Sequence, residues 1–266
     1  MKKIVSILCA LALAVLAAST ALAQDKIKVG TTAGADVEIL EKARDVAAKN
    51  GLTVEIIEFS DYVRPNLALA DGDLDLNSFQ HMPYLETFNK ERNLNLVSIG
   101  TTYVSPIGFY SQKIKSLDEL KEGDRLAIPN DPTNGGRALL LLEKAGFIKL
   151  KEGVGLTATP YDVVENRLNL KIIEVDAAQT PRTLEDTAAS AINNSFAIPA
   201  GLNPIKDAIY LEDADSPYVN VIVARPDNKD NPLYQKFVAA YQSKEVAEFI
   251  LQRFEGSTLP AFDYQK

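Results

Sequence analysis

Residues 125–137 read Arg-Leu-Ala-Ile-Pro-Asn-Asp-Pro-Thr-Asn-Gly-Gly-Arg, a short buried-type strand running straight into a helix start. Asp131 is placed to cap that helix, and Pro132 falls at its first position, where the missing N–H costs nothing and the ring presets φ. The helix then runs through 139–145, with Gly146 as its stop. A strand at 170–175, a helix near 183–188 and a strand at 189–193 complete a strand–helix alternation, the pattern of β-α-β units. The same alternation stands upstream. Lys26-Ile-Lys-Val-Gly30 opens into Thr31-Thr-Ala-Gly34, and Asp36 is expected to cap a helix carrying Val37, Leu40, Ala43 and Ala47 at three- and four-residue spacing. Asn50-Gly51 stops it, and a strand at Leu52–Phe59, a helix at 62–70 and a short strand at 74–76 follow. Two α/β sets therefore share one chain. The segments 102–110 and 218–224 lack helical spacing and are read as paired crossover strands between two lobes. The tail returns to helix after Ser243 and Glu245, with Val246, Phe249, Ile250 and Phe254 on one stripe. Two α/β lobes joined twice enclose a cleft, where ligands collect at the carboxyl ends of strands.

The chain has 266 residues, 46% hydrophobic and 24% charged, with a formal charge of -8, which offers no basic field to nucleic acid. Residues 1–23 read as a secretory signal: Lys2 and Lys3, an apolar run from 4 to 18, then Ala21-Leu-Ala23, with cleavage expected before Gln24. The alternative is an uncleaved anchor, for which the apolar run is short. Cleavage removes the only cysteine, Cys9, which follows Ser6-Ile-Leu8 rather than small residues, so a soluble periplasmic protein without a lipid anchor is expected. With no thiol and one histidine, His81, neither disulfides nor a zinc site built on several His or Cys ligands can form in the mature chain. No cofactor is expected: G-x-S-x-G, a Walker A loop and a dinucleotide fingerprint are all missing. Asp71-Gly-Asp-Leu-Asp75 imitates a calcium loop but has Leu76 and Met82 where glycine and glutamate are required.

Three stretches carry groups suited to a small zwitterion. The first is Phe79-Gln-His-Met-Pro-Tyr84 with Tyr62 upstream and Tyr103 downstream, which could equally be ordinary core. The second is 129–137, where a helix N-terminus, two glycines allowing close backbone approach and Arg137 suit a carboxylate. Its alternative is a well-capped helix with a solvated arginine. The third comprises Ala191-Ile-Asn-Asn-Ser-Phe196 and Ser216-Pro-Tyr-Val-Asn220, whose asparagines stand at strand ends or merely cap turns.

Together with Asp61-Tyr-Val63, Lys113-Ile-Lys-Ser-Leu-Asp-Glu-Leu120, Gly153-Val-Gly-Leu156 and Asp162-Val-Val-Glu-Asn166, these blocks resemble the MetQ-type methionine-binding proteins of the NlpA family, in order along nearly the whole mature chain. The resemblance implies a type II periplasmic-binding-protein fold, here with 24–105 and 222–266 as one lobe and 106–221 as the other. It also implies a monomer that captures methionine, delivers it to an ABC permease with its ATPase, and is not an enzyme. Carried over by position, Arg137 would clamp the ligand carboxylate with Asn134 and the helix start. Asn193 and Asn220 would hold carboxylate and ammonium, while Tyr62, Phe79, His81, Tyr84 and Tyr103 wall the side chain. On this reading Arg137→Ala abolishes binding and leaves the fold intact, because the guanidinium pairs with ligand rather than core. Gln24 stands where members of that family commonly carry a lipid-bearing cysteine, which suits free diffusion in the periplasm, and departures at Ser105 and 193–196 leave open another apolar or thioether-bearing amino acid, a D-isomer or a methionine-containing dipeptide. A periplasmic enzyme using His81 or a carboxylate pair is the remaining alternative.

Overall fold

The computed structural model describes residues 25–213 and 216–264, so the signal-peptide reading lies outside the described residues. The chain begins β1 (Asp25–Thr32), α1 (Ala35–Lys49), β2 (Leu52–Phe59), α2 (Arg64–Asp71), β3 (Leu76–His81), α3 (Met82–Arg92), β4 (Val97–Val104) and β5 (Ile107–Tyr110). It continues with β6 (Arg125–Pro129), α4 (Pro132–Lys144), β7 (Ile148–Leu150), β8 (Val163–Asn166), β9 (Lys171–Val175) and β10 (Ala189–Asn193). Two single-turn helices, β11 (Ala208–Leu211), β12 (Val219–Ala224), α5 (Pro232–Tyr241), α6 (Lys244–Phe254) and β13 (Leu259–Pro260) close it.

These strands form two principal sheets. The first has the order β13-β4-β12-β3-β1-β2 and the second β11-β5-β10-β6-β9. In each, a parallel centre made by strand–helix–strand units meets antiparallel strands contributed by chain that returns from the other sheet. Each has its own apolar core. Ile27, Val29, Ile39, Leu40, Phe237 and Tyr241 pack under the first, and Phe109, Leu126, Ile128, Leu139 and Leu142 under the second. The extended segment 102–110 is two strands rather than one, split at Ser105-Pro106 because proline has no N–H for a ladder and the chain changes sheets there. The second crossing leaves β11 at Leu211 and enters β12 at Val219, which pairs with Val104.

Three local expectations are corrected. Gly34, not Asp36, occupies the N-cap of α1; Asp36 lies inside the first turn with its side chain buried. The strand expected at 74–76 runs from Leu76 to His81, and all six residues are buried, polar ones included. The helix expected near 183–188 is a 3-10 segment, Ala177–Glu185, in which Pro181 cannot join an α-helical ladder.

Candidate ligand-binding site

The carboxyl ends of the parallel strands of both sheets converge. Ala35 follows β1, Gln80 and His81 end β3, Asn134 opens the helix after β6, and Asn193 ends β10. All of them line one hollow. This is where a doubly wound sheet places its ligand. The nine residues singled out in the sequence, Tyr62, Phe79, His81, Tyr84, Tyr103, Asn134, Arg137, Asn193 and Asn220, are all brought to that hollow. Gln80, Ser105, Asn194 and Ser195 line it as well.

The aromatic wall is continuous. The Tyr62 ring lies 4.8 Å from Phe196 and 6.0 Å from both Phe79 and Tyr84, and the Tyr84 hydroxyl donates to the Tyr62 carbonyl at 2.9 Å. His81 is locked within this wall. Its Nδ1 accepts from the Tyr84 amide at 3.1 Å, capping α3, so its proton sits on Nε2 and donates to Asn134 Oδ1 at 3.2 Å. Burial, reinforced by the Arg137 charge, lowers its pKa to about 3, which keeps the ring neutral.

Asn134 is the polar hub between the sheets. Its Oδ1 accepts from His81 and from Asn193 Nδ2 at 2.7 Å, while its Nδ2 donates to Asp131 at 2.9 and 3.1 Å. Those partners fix the amide's orientation. Asn193 Oδ1 and Asn194 Oδ1, both on buried side chains, have no hydrogen-bond partner. Asn194 is held by donating from Nδ2 to Ser105 Oγ at 2.5 Å and to the Ser257 carbonyl at 3.3 Å. Both residues line the hollow, and because a buried polar group without a partner is costly, these two neutral acceptors suit a donor such as an ammonium.

Arg137 is only 3% exposed, and its setting differs from the expectation that it pairs with ligand rather than core. Nε donates to Glu212 Oε1 at 2.9 Å. Nη2 donates to the Glu212 Oε2 and to the Ser105 carbonyl at 2.9 Å. The guanidinium also lies 4.1 Å from the Tyr218 ring centroid. Nε and both Nη2 hydrogens are thus committed to the protein, while Nη1 has no hydrogen-bond partner among the described residues and keeps its two N–H groups for a carboxylate.

The helix start is likewise corrected. Asp131 accepts from the Asn134 amide at 2.9 Å, and 131–133 do not line the hollow. The glycines serve packing rather than ligand approach: a Cβ on Gly135 would stand 2.7 Å from the Pro129 carbonyl, and one on Gly136 would stand 2.4 Å from that of Leu156.

Asp36 ties the sheets together beside the hollow. It accepts from Tyr103 on one side, from Thr32 at 2.9 Å, and from Ser195 across the cleft. Burial outweighs those hydrogen bonds and raises its pKa from 3.8 to about 6. The folded state therefore favours the protonated form. This group's stabilising contribution is full below about pH 4 and is lost as pH rises to about 6. In Asp36→Asn that loss disappears, so the variant's melting temperature should gain on that of wild type between pH 4 and pH 6. Melting curves that shift in parallel across that range would contradict it.

A two-lobe substrate-binding protein is the class defined by these sheets and the hollow at their strand ends. The chain belongs to the NlpA lipoprotein family, whose model matches residues 27–262. It is 56% identical over 236 residues to the D-methionine-binding lipoprotein MetQ of Salmonella typhimurium, covering 88% of this chain and 87% of that one. The crystal structure of the methionine binding protein MetQ superposes with a TM-score of 0.87 at 54% identity, covering 90% of this chain and 98% of that one. A nutrient binding protein from Burkholderia cenocepacia bound to methionine gives a TM-score of 0.87 at 54% identity, covering 89% and 100%.

These names overturn one expectation. The curated relatives are lipoproteins, which points to a lipid-anchored protein and against one that diffuses freely without an anchor. That expectation rested on the residues around Cys9 and Gln24, which lie outside the described residues.

Proposed function

We propose that the chain is the substrate-binding subunit of a methionine ABC importer and that it holds methionine, as the free amino acid, in the hollow between its lobes without transforming it. The single observation that carries this reading is that one hollow is lined both by an arginine whose Nη1 is left unpartnered and by two asparagines whose side-chain oxygens are unpartnered. Arg137 takes the carboxylate, Asn193 and Asn194 take the ammonium with Asn220 nearby, and Tyr62, Phe79, His81, Tyr84 and Tyr103 enclose the thioether. Relatives named for D-methionine and a neighbour bound to methionine support the choice of side chain. We place the lobe boundaries at the two crossings, Ser105-Pro106 and 212–218.

The energetics fit that division. Burying a thioether side chain stabilises the complex by about 1.5–3 kcal/mol, whereas micromolar binding requires about 8 kcal/mol, so charge-assisted hydrogen bonds to the head group must supply much of the rest. His81, neutral and bonded at both nitrogens, acts as wall and cap rather than as a general base. Calorimetry with L- and D-methionine tests the proposal, on protein freed of carried-over ligand by unfolding and refolding. Saturable heat and a ligand-dependent rise in melting temperature are expected. Absence of both with either isomer, or conversion of the amino acid to a new species, would contradict it.

A further inference from the structure

Glu212 is not among the residues lining the hollow. It lines a separate cavity with Val104, Pro106 and Leu211, and reaches the site only through the guanidinium of Arg137. Among the described lining residues Arg137 is the one cation, and Glu212, 15% exposed, already balances it. The other charged groups bonded to lining residues are both carboxylates: Asp131 on Asn134, and Asp36 on Tyr103 and Ser195. A ligand entering as a bare carboxylate would therefore add an uncompensated negative charge to a buried space with no surplus cation. One carrying its own ammonium adds none and finds two neutral acceptors, Asn193 Oδ1 and Asn194 Oδ1.

We propose that Glu212 is a positioning residue that sets the charge selectivity of this site: it orients the Arg137 fork and cancels its charge, so that the hollow admits an amino acid and rejects the same carboxylate without the amine. This rests on the reading of the hollow as an amino-acid site. The amide of Glu212→Gln can still accept one bond from Arg137 but leaves the cation unbalanced, a condition that suits a simple anion better than a zwitterion.

Calorimetry of refolded wild-type protein, Glu212→Gln and Glu212→Asp with L-methionine and with 4-(methylthio)butanoate, its deaminated counterpart, reads the ratio of the two dissociation constants. In Glu212→Gln the ratio should move toward the anion by about tenfold or more, as close charge pairs at binding sites do. In Glu212→Asp, which keeps the charge on a shorter arm, the wild-type ratio should persist whatever happens to the individual affinities. A merely structural role predicts equal losses for both ligands in Glu212→Gln, and that result overturns the proposal. So does a ratio that moves toward the anion as far in Glu212→Asp as the proposal requires of Glu212→Gln, which keeps the test decisive if Glu212→Gln does not refold. Wild-type protein that takes up no methionine overturns the underlying reading and this proposal with it, whereas methionine uptake with an unchanged ratio in Glu212→Gln overturns this proposal alone.

Discussion

Replacing Arg137 by alanine is expected to abolish measurable methionine binding and, in addition, to destabilise the ligand-free protein. The first effect follows from the Nη1 edge. Two charge-assisted bonds at about 1.5–3 kcal/mol each correspond to a loss of at least about a hundredfold in affinity. The second follows from the other edge, which holds Glu212 and the Ser105 carbonyl while the guanidinium stacks on Tyr218. Its removal leaves Glu212 largely buried and unpaired. Breaking a buried pair costs about 3–5 kcal/mol, and the 15% exposure of Glu212 places the expected cost near about 3 kcal/mol. The sequence alone led to an intact fold in this variant, and the Glu212 pair corrects that. Denaturant unfolding without ligand, alongside calorimetry with methionine, separates the two effects. Unchanged stability with lost binding would show that the Glu212 pair contributes little, and near-normal binding would refute the role given to Arg137.

The second large effect belongs to Asn134. In Asn134→Ala the His81 Nε2, the Asn193 Nδ2 and one face of the Asp131 carboxylate lose a partner together, the first two on buried side chains and the third half-buried. At about 1–3 kcal/mol for each unsatisfied buried group, stability should fall by about 3 kcal/mol or more. Affinity for methionine should fall as well, because Asn193 is no longer held in place. Asn134→Asp is expected to be worse at neutral pH. It sets a second carboxylate against Asp131, whose own pKa burial already raises. Its deficit relative to wild type should shrink as pH falls and the two acids come to share a proton. Stability measured at pH 8 and pH 5 decides this, and a deficit independent of pH would show that the two carboxylates do not face each other.

Much of this was legible in the residues because the strongest signals are local. Asp131 and Pro132 start α4 as read, Ser243 caps α6, and the strands Leu52–Phe59, Arg125–Pro129 and Ala189–Asn193 fall where hydrophobic pattern and turn residues put them. What failed depends on distant partners. β3 reads as polar because Asn77 and Gln80 are buried by an amide ring with Asn66, eleven and fourteen residues away. Asp36 looks like a cap, and becomes a buried bridge only through Tyr103 and Ser195. Glu212, seventy-five residues from Arg137, stands in a stretch that carries no motif, so its pairing left no local trace. The Asn193-Asn194 pair was visible, but the orientation that leaves both oxygens unpartnered was not.

The most direct test of the head-group grip is a crystal structure of the protein refolded with methionine. The account predicts the carboxylate within hydrogen-bond distance of Arg137 Nη1 and the ammonium on the side-chain oxygens of Asn193 and Asn194, with the thioether against Phe79 and Tyr62. A methionine seated with its carboxylate on other groups, or outside the hollow altogether, would contradict it.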